Sequence, residues 1–184
     1  MAIATIKRKM NAVTGEITVT DPKAAPVIEA PKRRGFPKNN RQALDERFGT
    51  LKLDPHGLTS QQWMNQFLMH LFPPWHMHSP ITNDTPIQRI WINSEVVKEL
   101  REALDRTWQY FERDQTKVDE VGLSTLVCSF VNPPLISANG ELSLHCWGAA
   151  IRFGKSDLPK EVIKIFTDLG FVFTNGAFEA VDKT

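Results

Sequence analysis

The chain has 184 residues, 41% of them apolar and 23% charged, with 22 Lys and Arg against 21 Asp and Glu. These proportions lie near globular averages and exclude a chain that is disordered throughout. No apolar run approaches the roughly 20 residues of a spanning helix, so no membrane partner is expected. Two cysteines, Cys128 and Cys146, are too few for a disulfide scaffold or a cysteine-based zinc site.

Charge is unevenly placed. Residues 1–50 carry ten Lys and Arg against five acids, a net of +5, whereas the other 134 residues carry twelve against sixteen, a net of −4. A basic arm on an acidic body points to an anionic partner surface. Met1 to Met10 holds Lys7, Arg8 and Lys9 without the long apolar stretch of a secretory signal, so export by that route is not expected.

In chain order, residues 1–57 read as an extended, Pro-rich basic arm. Prolines at 22, 26, 31, 37 and 55 and few large apolar residues leave little burial to offset the entropy of ordering it. Within it, Gly15 to Thr20 alternates like a strand in search of a sheet edge, which makes Ile17 and Val19 its apolar contacts. Lys32, Arg33 and Arg34 form a basic cluster, expected to meet acidic surface on a neighbouring subunit. The cluster lacks the interleaved aromatics of a stacking platform, which argues against nucleic acid.

Residues 58–184 read as the folded domain. Thr59 and Gln62 have capping-box spacing, and Trp63, Phe67 and Leu71 follow at helical intervals before Pro73-Pro74. Ile87 to Ile92 reads as a strand. A helix from about Asn93-Ser94 to residue 113 carries one apolar stripe through Val96, Leu100, Leu104, Trp108 and Phe111. Leu123 to Val131 reads as another strand. A last helix follows Ser156-Asp157, with Pro159 in its first turn and Gly170 at its end, and Phe171 to Phe173 returns as a strand. The fold class expected is α+β, with helices packed on a small antiparallel sheet.

The segment Glu141-Leu142-Ser143-Leu144-His145-Cys146-Trp147-Gly148-Ala149-Ala150-Ile151 resembles the Ser-x-His-x-x-Gly-x-Ala-x-Asp motif of the zinc D-alanyl-D-alanine carboxypeptidase and L-alanyl-D-glutamate peptidase family. Enzymes of that family cleave peptidoglycan stem peptides, and many are bacteriophage endolysins on a Hedgehog-like DD-peptidase fold. The resemblance covers about residues 87–181: a lead-in helix, a strand ending at Asn132-Pro133-Pro134, the motif, a final helix, Gly170-Phe171 and the closing Phe178-Glu179.

The resemblance implies zinc ligands at three positions, and here they hold His145, Arg152 and Ala177. The position of the acid that would activate water falls at about Thr174. A catalytic zinc needs three ligands with free lone pairs and an open site for water. Ala177 offers none, and Arg152 has no acceptor atom and repels a divalent ion by about 8 kcal/mol at roughly 4 Å in a medium of effective dielectric about 20. The expectation is a degenerate site with no metal, no cofactor and no catalytic residue. In it Arg152 replaces the metal as organising charge and pairs with Glu179, Glu141 being the second candidate.

Elsewhere, His76 and His78 would share a face only if extended and are too few for a metal; His56 reads as a turn residue and His70 as a helix-surface residue. Cys146 reads as a small buried hydrophobe, and Trp147 and Trp108 as core. The function expected is that of a non-catalytic structural or assembly protein of a bacteriophage particle, made in the host cytoplasm, its partners being copies of itself or other particle proteins. The alternatives are a module that binds peptidoglycan or another peptide, and a zinc peptidase with unconventional ligands.

Overall fold

The structure, a computed structural model, describes residues 35–82, 85–136 and 141–182. The expected strand at 15–20, with Ile17 and Val19, and the cluster Lys32, Arg33 and Arg34 lie outside the described residues.

Helices and small antiparallel sheets alternate, so the α+β expectation holds. The folded unit begins at Gly35 rather than at Leu58. Helix α1, Arg41–Phe48, is N-capped by Asn40, whose side chain accepts from Ala43 N, and it buries Leu44 and Phe48, spaced one turn apart. Phe36 meets Phe171 edge to face at 5.1 Å, and Asp182 N donates to Pro37 O at 2.8 Å. Residues 35–57 therefore belong to the body, and the arm boundary at 57 is corrected: two well-spaced apolar residues outweigh a Pro-rich composition.

Helix α2, Gln61–Phe67, is capped by Ser60 rather than Thr59, and stops before Leu71. The chain turns straight into β1, Leu68–Leu71, which pairs antiparallel with β4, Ile90–Asn93. Tertiary packing ends the helix there. The Phe67 ring lies over Gly49, where a Cβ would come within 2.5 Å of it, and Phe67 O accepts from Ser94 N. Between these strands β2, Met77–Ser79, and β3, Thr85–Ile87, form a hairpin that periodicity did not signal.

Helix α3, Val97–Tyr110, buries Leu100, Ala103, Leu104 and Thr107, as its stripe predicts. A short helix α4, Gln115–Glu120, capped by Asp114, follows. The main sheet comes next, from β5, Leu126–Cys128, β6, Ala150–Phe153, β7, Val172–Thr174, and β8, Ala177–Glu179, in the order β5-β6-β8-β7, antiparallel throughout. Helix α5, Lys160–Asp168, covers one face. There Phe166 stacks on Phe178 at 3.9 Å and meets Phe153 edge-on at 6.3 Å. Such aromatic pairs contribute about 1 kcal/mol each beyond the area they bury.

One buried polar residue ties the layers together. Asn93 is fully buried and fully engaged: Nδ2 donates to Phe48 O and Trp147 O, both at 3.1 Å, and Oδ1 accepts from Glu95 N. Its own N–H donates to Gly148 O at 2.9 Å. The end of α1, the start of α3 and the turn that carries His145 are thus fixed to one side chain.

Candidate functional site

His145 sits on a single 3-10 turn, Leu144–Trp147. Ser143 caps its start, accepting from His145 N, and Gly148 closes it in the left-handed region at φ 64. A Cβ at 148 would lie 2.9 Å from Leu68 Cδ2 and 3.0 Å from Asn93 N, so only glycine fits. The Ser and Gly of the motif are thereby accounted for by backbone geometry alone, before any chemistry is assigned to the histidine.

The imidazole is half-buried, with Nδ1 3.2 Å from Ser129 O. Burial holds it below its ordinary 6.5, against the opposing pull of the Ser129 carbonyl and the Glu179 charge; the Arg152 charge pushes it further down. At neutral pH it is uncharged, the form that has a lone pair to offer.

The positions implied by the resemblance stand side by side. In the sheet register Cys128 faces Arg152, Arg152 faces Ala177, and Ala177 faces Thr174, one row across all four strands. Glu179 faces Ala150, two residues along on the same side of the sheet. That side is opposite the face packed on α5, where Ile151, Phe153 and Phe178 are buried.

What the row offers is poor in ligands. Arg152 carries a cation, Ala177 a methyl group and Thr174 a hydroxyl. Burial, with the nearby Cys146 thiol, pushes Cys128 up to about 11, so it is a thiol and not a thiolate at neutral pH. Among the described residues no group of three His, Cys, Asp or Glu is placed to hold a metal ion.

Arg152 is exposed, and its Nη2 donates to the Asn175 carbonyl at 2.6 Å. That carbonyl belongs to the Asn175-Gly176 turn joining β7 to β8, both residues having positive φ. The expected pairing with Glu179 presumed a guanidinium enclosed in a pocket. Solvent and a backbone carbonyl already satisfy this one, so the premise does not hold. Exposure also screens its repulsion of a cation well below the figure for a closed site. Ligand count, rather than charge, is what weighs against a zinc site among the described residues of the row.

The remaining candidates are dispersed. Cys146 is buried, bonded through its sulfur to the backbone of Leu135. Trp147 is core, its Nε1 donating to Gly49 O at 3.2 Å. His56 lies in a turn, its N–H on Asp54 Oδ1. His70 is on strand β1, not a helix, its ring packed on Trp91 at 3.9 Å between centroids with the planes tilted by 58°. His78 Nε2 lies 2.9 Å from Thr125 Oγ1.

A concavity lies away from this row. A groove of about 1160 Å³ runs between the Phe72–His78 segment, the β2–β3 hairpin, the end of α3 and α4. Trp108 and the exposed Phe72 supply aromatic surface, and Pro73, Pro74 and Pro86 supply rigid walls without N–H donors. Gln115 of α4 locks one wall, its amide bonding both N and O of His76. The available signal was the exposed Phe beside two prolines, which reads as a helix stop unless the pairing partners are known. Family models, curated proteins and solved structures yield no match to this chain.

Proposed function

We propose that the chain is a non-catalytic binding and assembly protein, built on a Hedgehog-like DD-peptidase fold that has lost its zinc site, and that it serves as a structural component of a bacteriophage particle. The observation that carries this reading is the row Cys128-Arg152-Ala177-Thr174 beside His145. The positions at which the resemblance calls for ligands and an acid are brought together, and they offer a single neutral imidazole. Three lone-pair donors are needed to hold a catalytic zinc. Of the motif residues that persist, Ser143 and Gly148 are ones the backbone requires.

The basic arm is the assembly device in this reading. Ile17 and Val19 add a strand to a neighbouring sheet edge, and Lys32, Arg33 and Arg34 meet the acidic body of an adjacent copy or another particle protein. Sedimentation of the full chain against a version lacking residues 2–34 tests it. Self-association, or incorporation into a particle, is expected for the first and not the second. Equal behaviour of the two contradicts the assignment.

A further inference from the structure

The hairpin that closes the main sheet turns on Asn175 and Gly176, at φ 50 and φ 80, between the paired residues Thr174 and Ala177. Asn-Gly is the pair that a two-residue turn of this hand prefers. It is also the pair at which an asparagine side-chain amide is lost most readily, because a following glycine has no Cβ to keep the next backbone nitrogen away from it. In that reaction Gly176 N gives up its proton to solvent base and bonds to Asn175 Cγ, and the side-chain nitrogen leaves as ammonia. Water then opens the cyclic imide at either carbonyl. The product is aspartate on the original backbone or isoaspartate with the backbone rerouted through Cβ.

The Asn175 side chain is exposed, so water reaches its amide. Ring closure nevertheless requires the peptide plane between the two residues to turn, since that plane carries the attacking nitrogen. Here the plane is held from two sides. Arg152 Nη2 donates to its carbonyl, Asn175 O, at 2.6 Å. Gly176 is buried against Ser156, where a Cβ would lie 3.1 Å from Ser156 Cβ and 3.2 Å from Ser156 Cα. Arg152 reaches the turn from β6, the strand beside β8, so the grip comes from outside the hairpin.

We propose that Asn175 is a deamidation site that the fold keeps closed, and that Arg152 is the residue that keeps it so. Arg152 is a positioning residue: it acts on the backbone carbonyl, not on the reacting atoms. What it protects is the β7 edge of the main sheet. Isoaspartate lengthens the turn by one backbone atom, and the register of a hairpin depends on the length of its turn. The guanidinium that stands in the ligand row thereby has a task of its own, whether the chain binds or cuts.

Peptide mapping by mass spectrometry of the full chain, aged in mildly alkaline buffer, tests it. A blocked peptide of residues 172–179 in the same buffer is the reference, since an isolated hairpin is marginal in water. Conversion at Asn175 should run about tenfold or more slower in the chain than in the peptide, because local opening must come first. Arg152→Ala should speed it about threefold or more through loss of one hydrogen bond, and Arg152→Lys, which keeps a donor, should fall between. The lysine variant carries the test if the alanine one does not fold. Lys155→Ala removes the bond from Lys155 Nζ to Glu120 O without touching the turn, and it should leave the rate at that of the parent. That variant separates loss of the clamp from loss of stability. Equal rates in chain and peptide, a rate indifferent to Arg152, or equal acceleration by Lys155→Ala overturns the proposal.

Discussion

At the scale of single residues, Asn93 shows how much of this fold hangs on one satisfied polar group. Asn93→Leu keeps the volume but leaves the carbonyls of Phe48 and Trp147 and the N–H of Glu95 without partners. Each unpaired buried group costs about 1–3 kcal/mol, so a loss of about 3 kcal/mol or more is expected in a urea titration. His145 offers a different handle. Its folded-state pKa is lowered, chiefly by burial, so the unfolded chain binds the proton first as pH falls. Its contribution to stability is therefore whole above about pH 6.5 and is lost on acidification towards the lower folded value. His145→Gln should flatten the fall in urea midpoint between about pH 7.5 and about pH 5; an unchanged slope would show that other groups carry it. The register suggests a gain-of-metal test as well. Arg152→Asp with Ala177→His places two ligands face to face beside His145. Zinc should then raise Tm in the double variant and not in the parent, by the equivalent of about 2.7 kcal/mol at a hundredfold excess over Kd. Hydrolysis is not expected to return, because Thr174 still stands where an acid is required.

At the scale of elements, α1 decides where the domain begins. Removing residues 2–34 should leave the body's Tm unchanged, whereas removing residues 2–55 also strips out Leu44 and Phe48 and should abolish folding. Phe48→Ala alone should cost about 3–5 kcal/mol, the usual price of deleting a buried aromatic ring. A body that melts normally without residues 2–55 would contradict this. The same helix shows what a sequence conveys and what it conceals. The stripe of α3 and the Gly170 stop of α5 were legible because local periodicity and capping coincide with packing there. Helix α2 is one turn shorter than its spacing predicts, since Leu71 keeps helical spacing while the β4 partner that claims it lies some twenty residues away. The β2–β3 hairpin leaves no signal for a similar reason: three-residue strands with a proline carry no period of their own. Of the candidate site, the row positions were legible through the motif, but the exposure of Arg152 and its anchor on Asn175 were not, because a turn carbonyl leaves no trace in side-chain identity.

At the scale of the whole molecule, the basic excess lies mostly before residue 50 and the acidic excess after it. Association driven by that asymmetry should weaken steeply as salt rises, whereas binding dominated by apolar contacts should not. The proposed reading, a body that binds rather than cuts, rests on two observations: a histidine turn whose serine and glycine are explained by its caps, and a cross-strand row in which Arg152 and Ala177 offer no lone pair to a metal. The absence of a working zinc site is the claim from which that reading takes its meaning. Elemental analysis of freshly purified full-length protein tests it most directly, together with an assay for release of D-alanine or cleavage of stem peptides. Zinc far below one ion per chain and no hydrolysis are expected; about one zinc per chain, lost together with hydrolysis in His145→Ala, would contradict the account.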